Sequence, residues 1–564
     1  MEPTKLRSDR WLAMGIVLLF VAVYVLPLGI RPLANPDEYR YAEIAREMIA
    51  SGDWITPHLD GVRYFEKPIL GYWINAASFE LFGQNAFALR APSALAAGLT
   101  ALLVFWLTAT FVSRRAGLLA SGIYLSSLAV FGIGTFAVLD SYLSLFLTAA
   151  LAGFYGAYRQ TDGQSRKRLL QLAWGAACGC AFLTKGFLGL VLPAIVIGPF
   201  LLLERRWRSM LTDTAAPALA AMLIALPWSL LIHLREPDFW RYFVVVEHLQ
   251  RFLGEGDAVQ HEAPWWYFIV TLPVIAFPWT LFAWRAWTAR APSSNDAPRS
   301  FLRFLACWAL IPFVFFSLSS GKLLTYVLPC FAPLSILLAV GLTARTRTEA
   351  DAASSLPGAA IALLFGLAFV LLLAVQTSSF AESVYAPDEA LKATLMLAAL
   401  ATGSLAGLMA MRSRSSMRQL TLAAMSVLPL FLALTVAVPA RALDKKAPAR
   451  FITSAGPFAH DAILVSHPSL FNALCWTLKR GDVYLFGQSE VHYGMTYPES
   501  RHRELDDAGL ERLLGESYGR RAIVFLTKAD RERELSGILP ARGRRAQQGD
   551  LVLWYFDESP KPDG

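Results

Sequence analysis

Long apolar runs separated by short polar breaks constrain the fold of this chain more than any other feature. A helix needs about 20 apolar residues to cross about 30 Å of membrane hydrocarbon. Hydrophobic residues make up 55% of the 564 residues and charged residues only 17%, which excludes a disordered chain, a coiled coil and most soluble enzymes. The pattern predicts an all-α polytopic membrane protein with about thirteen transmembrane helices. The runs lie at about 11–30, 86–112, 116–138, 139–158, 169–185, 186–203, 215–234, 266–288, 302–319, 323–342, 357–377, 391–411 and 419–440.

Basic residues cluster in alternate breaks between these runs, as the positive-inside rule describes. Clusters such as Arg114-Arg115 and Arg205-Arg206 account for the formal net charge of +8, so no nucleic-acid partner is expected. Placing the N-terminus in the cytoplasm puts these clusters inside. An odd number of spans then puts the C-terminal segment outside.

Two loops on the predicted outer side are too long to be simple connectors. They cover about 31–85 and 235–265 and mix Trp, Tyr and Phe with charge, which is typical of helices in the membrane interface. After about residue 440 the composition changes, so we expect a transmembrane domain over 1–440 and a small soluble α/β domain over 441–564. Its β-like runs are Ala462–Ser466, Val483–Phe486, Ala522–Leu526 and Leu551–Phe556, and a helical pattern surrounds Glu504–Leu514.

The sequence just after the first apolar run has the features of a helix start. Asn35 can cap a helix, Pro36 suits the first turn, and Glu38 complements the positive end of the helix dipole. Apolar residues then repeat at helical spacing from Tyr41 to Ile49. This pattern predicts a helix that lies on the bilayer with its apolar face down.

Asp37, Arg40 and Tyr41 fall on one face of this helix. An acid at the membrane surface beside an arginine and a tyrosine is a candidate site residue. The alternative is that Asp37 only complements the helix dipole.

A second candidate segment is Tyr64-Phe65-Glu66-Lys67-Pro68. Pro68 disfavours helical geometry at Lys67, which therefore stands just before an apolar helix. Lys67 is either a lysine whose stem crosses apolar surface or a point charge for a phosphate at headgroup depth.

Further candidate residues lie at the predicted outer ends of the spans. Asp140 is either a helix cap or a carboxylate in the same cavity as Asp37. Lys185 lies between two apolar runs and needs a partner, for which a phosphate or Asp140 would serve. Lys322 and Tyr326 are either interfacial anchors or part of the site.

A metal site is a weaker hypothesis. Glu66 and His248 together offer a carboxylate and an imidazole for a divalent metal, but their spacing has no metal signature. A divalent metal is therefore possible, and no required cofactor is expected.

The stretches Asn35–Ala42 and Tyr64–Pro68 resemble the first periplasmic loop of the bacterial 4-amino-4-deoxy-L-arabinose lipid A transferases. These are membrane glycosyltransferases of the GT-C fold, related to protein O-mannosyltransferases. The many-span layout, Leu139-Asp140-Ser141, Leu183–Gly186 and an outside C-terminal domain extend the similarity over most of the chain. Nothing in the C-terminal domain matches residue by residue.

The resemblance implies a monomeric multi-pass protein of the bacterial inner membrane, whose active site and C-terminal domain face the periplasm. It implies transfer of aminoarabinose from undecaprenyl phosphate to a lipid A phosphate, with inversion at the anomeric carbon. Lipid A then loses negative charge, which gives resistance to polymyxin and other cationic antimicrobial peptides.

Residue roles follow from the resemblance together with the charges. Arg40 and Lys67, helped by Tyr41, are expected to hold the leaving undecaprenyl phosphate, and Lys185 the acceptor phosphate or a second face of the donor. Asp37 is expected to orient the acceptor or the amino group, with Asp140 and Glu66 in support. The expected catalytic residues are Asp37, Arg40, Lys67 and Asp140, and the expected binding residues are Tyr41, Tyr64, Glu66, Lys185, Lys322 and Tyr326.

Two alternatives stay open. The same fold with a protein hydroxyl or another glycolipid as acceptor would need Asp37 as a true base, so Asp37→Asn would abolish activity. A lipid or solute transporter would place charged or broken helices near the bilayer midplane in two related halves. The candidate residues cluster at one face and no internal repeat is seen.

Overall fold

The computed structural model describes residues 3–160, 163–250, 261–288, 297–345, 355–378, 382–454, 461–518, 520–535, 537–540 and 543–557. Most described residues are helical. The helices are α1 (Pro3–Phe20), α2 (Asp37–Ser51), α3 (Leu70–Phe82), α4 (Ala86–Phe111), α5 (Arg114–Leu125), α6 (Leu128–Gly134), α7 (Leu139–Arg159), α8 (Gln164–Lys185), α9 (Leu188–Leu203), α10 (Ser209–Thr212), α11 (Ala215–Arg235), α12 (Phe239–Arg241), α13 (Tyr267–Ile275), α14 (Thr280–Trp287), α15 (Arg299–Leu318), α16 (Phe331–Arg345), α17 (Leu356–Thr377), α18 (Ala390–Arg412), α19 (Ser416–Val436), α20 (Ala440–Lys446), α21 (Ala449–Ser454), α22 (Phe471–Leu478), α23 (His492–Met495), α24 (Asp507–Ser517) and α25 (Ala529–Glu534).

Shorter helical segments of π or 3₁₀ geometry and eight strands complete the described structure. The helical segments are Val21–Val25, Tyr242–Gln250, Leu324–Cys330, Pro387–Glu389, Pro468–Leu470 and Arg501–Arg503. The strands are β1 (His58–Leu59), β2 (Val62–Arg63), β3 (Ile463–Ser466), β4 (Tyr484–Phe486), β5 (Glu504–Leu505), β6 (Ile523–Lys528), β7 (Arg544–Gln548) and β8 (Leu551–Phe556).

Each of the thirteen apolar runs is mainly helical, so the polytopic helical fold class is confirmed. Within the described ranges, seven helices are long and apolar enough to cross a membrane, and two bent pairs raise the number to nine. The pairs are α5 with α6, bent by 64°, and α13 with α14, bent by 98°. The remaining four runs form α1, α7, α8 and α9, so the count of thirteen spans stays a prediction.

The prediction that α2 lies on the bilayer was wrong. The helix is buried along most of its length, from Glu38 to Met48, because it packs against α3 on one side and α22 of the C-terminal domain on another. Its apolar face serves these contacts instead of lipid contacts.

The predicted cap of α2 was wrong as well. Pro36 occupies the capping position without a side-chain hydrogen bond, while the Asn35 side chain donates to the Ser469 carbonyl in the C-terminal domain. Glu38 accepts from the Ala34 backbone N–H at 2.9 Å and also forms a buried ion pair with Arg90, whose Nε lies 2.6 Å from its Oε1. Glu38 therefore ties α2 to α4 besides complementing the helix dipole.

The second long loop does not lie apart on the membrane surface in its described part. Phe239 and Phe243 are buried, and the Phe239 ring meets the Phe65 ring edge-on at 5.3 Å. The first part of this loop therefore packs against the Tyr64–Pro68 segment. Residues 251–260, which belong to the predicted interfacial stretch, lie outside the described residues.

The C-terminal region contains a six-stranded mixed sheet in the order β5-β4-β3-β6-β8-β7. Neighbours from β5 to β6 are parallel, and β8 runs antiparallel to both β6 and β7. The four predicted strands are confirmed, whereas β5 and β7 were missed. The helix predicted around Glu504–Leu514 begins only at Asp507, because Asp506 caps it by accepting from the Gly509 N–H at 2.7 Å. The domain boundary near residue 440 stays a prediction.

A short hairpin in the first loop joins this domain to the membrane bundle. Strands β1 and β2 meet at a turn in which Asp60 and Gly61 both have positive φ, of 57° and 77°. A Cβ at Gly61 would lie 2.2 Å from the Gly481 carbonyl oxygen, so only glycine fits this contact. Arg503 adds a hydrogen bond of 2.8 Å from its Nη2 to the Asp60 carbonyl.

Candidate active site

Tyr41, near the start of α2, lies among carboxylates that are paired with three cations. The cations are Arg40, Lys67 and Lys185, supplied by α2, by the segment before α3 and by the end of α8. The buried Tyr41 hydroxyl interacts electrostatically with Arg40, Asp37, Asp140 and Glu66. Burial, and then these carboxylates, raise the pKa of Tyr41, so it acts as a neutral hydrogen-bonding group in this site.

Arg40 lies between two carboxylates from distant parts of the chain. Its Nη1 is 2.8 Å from Asp37 Oδ1, and its Nη2 pairs with Glu490 of the C-terminal domain. Helical spacing sets the first contact, since three residues separate the partners. The Asp37 side chain is 42% exposed, so a ligand can reach it. The buried Arg40 Nε has no acceptor among the described residues and remains available to one.

Lys67 is held by a second carboxylate pair. Its Nζ lies 2.8 Å from Glu247 Oε2 and 3.8 Å from Glu66 Oε2, and it donates to the Glu66 carbonyl at 2.9 Å. Burial, followed by the charge of Glu247, raises the pKa of the Glu66 carboxyl. A protonated Glu66 would remove one of the two negative charges beside Lys67, which would then attract an anion more strongly.

Lys185 pairs with Asp140, one of the two partners that the sequence analysis offered. Lys185 Nζ lies 2.7 Å from Asp140 Oδ1 and 5.0 Å from the centre of the Tyr326 ring. Asp140 stands in the first turn of α7, where a carboxylate complements the helix dipole. The structure therefore brings Asp140, Lys185 and Tyr326 together.

Tyr64 is buried beside the carboxylates that pair with Arg40 and Lys67. Burial, and then the charges of Glu66 and Glu490, raise the pKa of its hydroxyl, which is therefore neutral. The Tyr41 and Tyr72 rings lie 6.3 Å apart, and the buried Tyr72 hydroxyl has no partner among the described residues. These phenols offer hydrogen bonds without adding charge.

The structure gives Lys322 a different set of contacts. Its Nζ donates to the carbonyls of Ala263, at 2.7 Å, and Ser319, which fastens the second long loop to the end of α15. Burial lowers the pKa of Lys322. Among the described residues its ammonium group donates to these two carbonyls, so it is not brought into the group around Tyr41.

Among the described residues, Glu66 and His248 gain no third metal ligand. His248 Nδ1 lies 2.7 Å from the Phe243 carbonyl, and its ring packs against those of Phe187 and Phe243. Over the described ranges, no group of three or more His, Cys, Asp and Glu is placed to hold a metal ion. The metal site stays a prediction.

Carboxylates outnumber cations in this site. Asp37, Glu66, Asp140, Glu247 and Glu490 contact or adjoin the three cations. Such a site can bind a phosphate when the phosphate replaces a carboxylate as the partner of a cation. Its carboxylates can also bind a positively charged group.

Comparison with known proteins fits this geometry. An undecaprenyl phosphate-alpha-4-amino-4-deoxy-L-arabinose arabinosyl transferase of Aeromonas salmonicida is 39% identical over 541 residues, covering 95% of this chain and 97% of its own. That of Shewanella sediminis is 38% identical over 98% of this chain and 99% of its own. The chain belongs to this family. Residues 10–243 of the chain match the family model of dolichyl-phosphate-mannose-protein mannosyltransferases. Residues 443–555 match the family model of the C-terminal domain of the arabinosyl transferase ArnT.

Solved structures place the chain in the GT-C fold. The crystal structure of ArnT from Cupriavidus metallidurans bound to undecaprenyl phosphate superposes with a TM-score of 0.81 at 25% identity, covering 96% of this chain and 97% of that one. An oligosaccharyltransferase of Archaeoglobus fulgidus shares the fold alone, with a TM-score of 0.51 at 11% identity over 93% of this chain and 69% of that one. Like these family relatives, the chain is a multi-pass membrane glycosyltransferase that uses a polyprenyl-phosphate sugar donor.

Two site residues of this arabinosyl transferase family member were missed by sequence reasoning. Glu247 stands directly before His248 in the aromatic second long loop, and this acid next to a histidine could have indicated a site residue. Glu490 has no local indication, because its role depends on a contact with Arg40, 450 residues away in the chain.

Proposed function

We propose that this protein transfers 4-amino-4-deoxy-L-arabinose from undecaprenyl phosphate to a phosphate group of lipid A. The observation that carries the proposal is that Arg40, Lys67 and Lys185 each pair with a carboxylate that interacts with one buried tyrosine, Tyr41, in a chain of this family. Two anionic lipids must approach one carbon atom in this reaction, and fixed cations offset their repulsion.

The proposed chemistry needs no strong base. An ionised oxygen of the acceptor phosphate attacks the anomeric carbon and forms a new carbon–oxygen bond. The bond from that carbon to the undecaprenyl phosphate oxygen breaks on the opposite face, so the configuration inverts. The electron pair leaves with undecaprenyl phosphate, and no proton has to be removed from the attacking group.

We assign the leaving phosphate to Lys67 and Arg40, because the charge that develops there is stabilised by cations already fixed in place. The Tyr41 and Tyr64 hydroxyls add hydrogen bonds. Lys185 is assigned to the acceptor phosphate, which would take the place of Asp140 as its partner.

The surplus of carboxylates is assigned to the sugar. The 4-amino group is cationic at neutral pH, and a carboxylate recognises it by a charge-assisted hydrogen bond. Asp37 is the best placed, since it is the most exposed of the carboxylates paired with the three cations.

We place the protein in the bacterial inner membrane as a monomer, with the site and the sheet domain on the periplasmic side. The positive-inside distribution of Lys and Arg supports this orientation. Modified lipid A has less negative charge, so polymyxin and other cationic peptides would bind it less well.

The test is expression in a Gram-negative host that makes the aminoarabinose donor but lacks its own transferase, followed by mass spectrometry of lipid A. We expect a mass gain of one aminoarabinose, lost in Lys67→Ala with a rate decrease of at least about 100-fold. The matched control is Lys392→Ala, which removes another ion-paired lysine, 2.6 Å from Glu389 and outside the site.

Two results would contradict parts of the proposal. A near-normal rate in Lys67→Ala would remove that residue from the site. Unmodified lipid A in the presence of folded wild-type protein would exclude the lipid A acceptor and favour a protein or another glycolipid.

A further inference from the structure

A cavity of about 210 Å³ lies between α7, α8 and α9 and is closed at one end by the turn at α10. Its walls are mostly apolar and include Phe154, Trp174, Pro193, Ile197 and Leu201. An apolar cavity of about 150 Å³ is large enough to take up benzene, so this one is large enough for a segment of hydrocarbon chain.

Small residues on α9 keep this space open. Ala194 and Gly198, one helical turn apart, both line the cavity. A Cβ at Gly198 would only touch the Met210 side chain, at 3.6 Å. Leu190 and Met210 also line the space and are each 40% exposed, so the cavity opens toward the lipid-facing surface of the bundle.

The cavity extends along α8 and α9 from Cys178 and Leu190 to Lys167 and Leu201, and its far end lies at the opposite end of α7 and α8 from the candidate active site. Asp140 opens α7 and Lys185 ends α8, whereas Tyr158 and Lys167 line the cavity. In each helix 18 residues separate the two positions, or about 27 Å at 1.5 Å per residue. The end of the cavity at Tyr158 and Lys167 is therefore close to the other membrane surface.

The polar end of the cavity is basic. Lys167 Nζ lies 2.9 Å from Asp213 Oδ1, and the Arg206 guanidinium lies 5.1 Å from the centre of the Tyr158 ring. Arg205 and Arg208 flank Arg206 and are exposed. Over 166–168 and 204–213 the sequence has six basic residues, Arg166, Lys167, Arg168, Arg205, Arg206 and Arg208, against the acids Glu204 and Asp213.

We propose that this cavity binds an anionic phospholipid of the leaflet opposite the active site, with one acyl chain among α7, α8 and α9 and its phosphate beside Arg206 and Lys167. An apolar space that ends in a basic rim at the membrane surface matches such a lipid in both polarity and charge. The bound chain fills space between three helices, and two of them carry Asp140 and Lys185 at their far ends. The lipid therefore stabilises the folded bundle.

The test uses the full-length protein in detergent, with dioleoyl phosphatidylglycerol and dioleoyl phosphatidylcholine as probes. We expect phosphatidylglycerol to raise the thermal unfolding midpoint by about 2–4 °C more than phosphatidylcholine does. Native mass spectrometry is expected to show one retained phosphatidylglycerol per chain.

Two variants separate chain binding from headgroup binding. Ala194→Phe fills the cavity and is expected to lose both the retained lipid and the added stability. Its control is Ala398→Phe, at an exposed position of α18. Arg206→Gln is expected to bring the effect of phosphatidylglycerol down to that of phosphatidylcholine, and its control is Arg412→Gln, an exposed arginine at the end of α18.

Equal stabilisation of the wild type by the two lipids would overturn the proposal. So would retention of the lipid in Ala194→Phe at the wild-type level. If Ala194→Phe does not fold, Arg206→Gln decides, because loss of the preference for phosphatidylglycerol in that variant alone supports the site, and an unchanged preference rejects it.

Discussion

The two halves of α2 carry the same local pattern in different surroundings. Asp37 with Arg40 and Glu43 with Arg46 are both acid–arginine pairs three residues apart, each with a 2.8 Å contact. The Asp37 side chain is 42% exposed and faces the candidate site. Glu43 is fully buried, beneath the C-terminal domain.

The second half of α2 belongs to a buried acidic cluster, made of Glu43, Glu47 and Asp60 with Arg46. Glu47 Oε1 accepts from the Gly61 N–H at 2.8 Å, and Arg46 Nη2 lies 3.5 Å from the same oxygen. Burial, together with the charges of Glu43 and Glu47, raises the pKa of Asp60 well above its ordinary value. Arg46 thus pairs with two of these buried acids, Glu43 and Glu47, and Asp60 lies beside both, so this cluster holds domains together and is not open to a ligand.

The comparison shows that spacing alone does not distinguish a site from a structural contact. An acid–arginine pair becomes part of a site when a ligand can reach it and when its arginine still has an unused donor, as the Arg40 Nε has among the described residues. The same pair becomes a structural contact when other protein groups enclose it.

The largest expected effect is at the buried half. Arg46→Ala leaves Glu43 and Glu47 buried without their cation, which costs about 3–5 kcal/mol of stability. We expect a large fall in the unfolding midpoint in detergent and a loss of folded protein. The double variant Arg46→Ala with Glu43→Gln should recover part of the stability. An Arg46→Ala protein that is stable but inactive would contradict the comparison and place Arg46 in the site.

Arg40→Ala should show the reverse behaviour. Its loss removes a fixed cation from the leaving phosphate, and we expect a rate decrease of about 100-fold, or about 2.7 kcal/mol of transition-state stabilisation. The unfolding midpoint should fall less than in Arg46→Ala, because only Glu490 loses a cation in largely buried surroundings while Asp37 is exposed to solvent. Lipid A mass spectrometry and thermal unfolding measure the two quantities. A strongly destabilised Arg40→Ala protein would show that both halves are structural.

Glu490 tests whether the C-terminal domain acts on the site through Arg40. Glu490→Gln weakens a charge-assisted contact worth about 1.5–3 kcal/mol, so we expect a rate decrease of about 10-fold or more with the domain folded. Asn472 donates to Glu490 at 2.8 Å, and Asn472→Ala should give a smaller decrease. Glu504→Gln, which alters a pair with His492 in the same domain, is the control. Unchanged activity in Glu490→Gln would limit the domain to a structural role.

The sequence predicted the helices well because an apolar run long enough to span a membrane leaves few other structures open to it. The bends between α5 and α6 and between α13 and α14 fall at Ser126-Ser127 and at Pro278, inside runs that are apolar throughout, and hydropathy alone did not predict them. Strand β7 has the polar sequence Arg544–Gln548 at the edge of the sheet, which lacks the apolar alternation of an interior strand.

The site was predicted where a residue was locally unusual. Lys185 lies between two apolar runs, where a charge is expensive, and Asp37 and Lys67 stand near aromatic residues in the first long loop. These features can be read from the sequence alone. Glu490 and the burial of α2 depend on contacts across most of the chain length, which no local pattern encodes. Lys322 has the same local features as Lys185, but backbone carbonyls surround its ammonium group.

A further expected effect is a pH dependence of stability that arises in the buried half. Burial, and then Glu43, raise the pKa of Glu47 from an ordinary 4.5 to about 8. Between these values the folded protein holds a proton that the unfolded chain has released, so stability falls as pH rises through this window and levels off above it. One proton gives a slope of at most about 1.4 kcal/mol per pH unit.

Glu47→Gln should therefore flatten the dependence of the unfolding midpoint on pH. At pH values above 8 the variant should have a higher unfolding midpoint than the wild type, since the new amide oxygen still accepts from Gly61. Glu80→Gln, at an exposed position of α3, should leave the slope unchanged. A slope that survives in Glu47→Gln would move the titrating proton to Asp60, whose pKa is raised by the same burial. A flat profile in the wild type would show that these acids are ionised in the folded state and that Arg46 alone neutralises them.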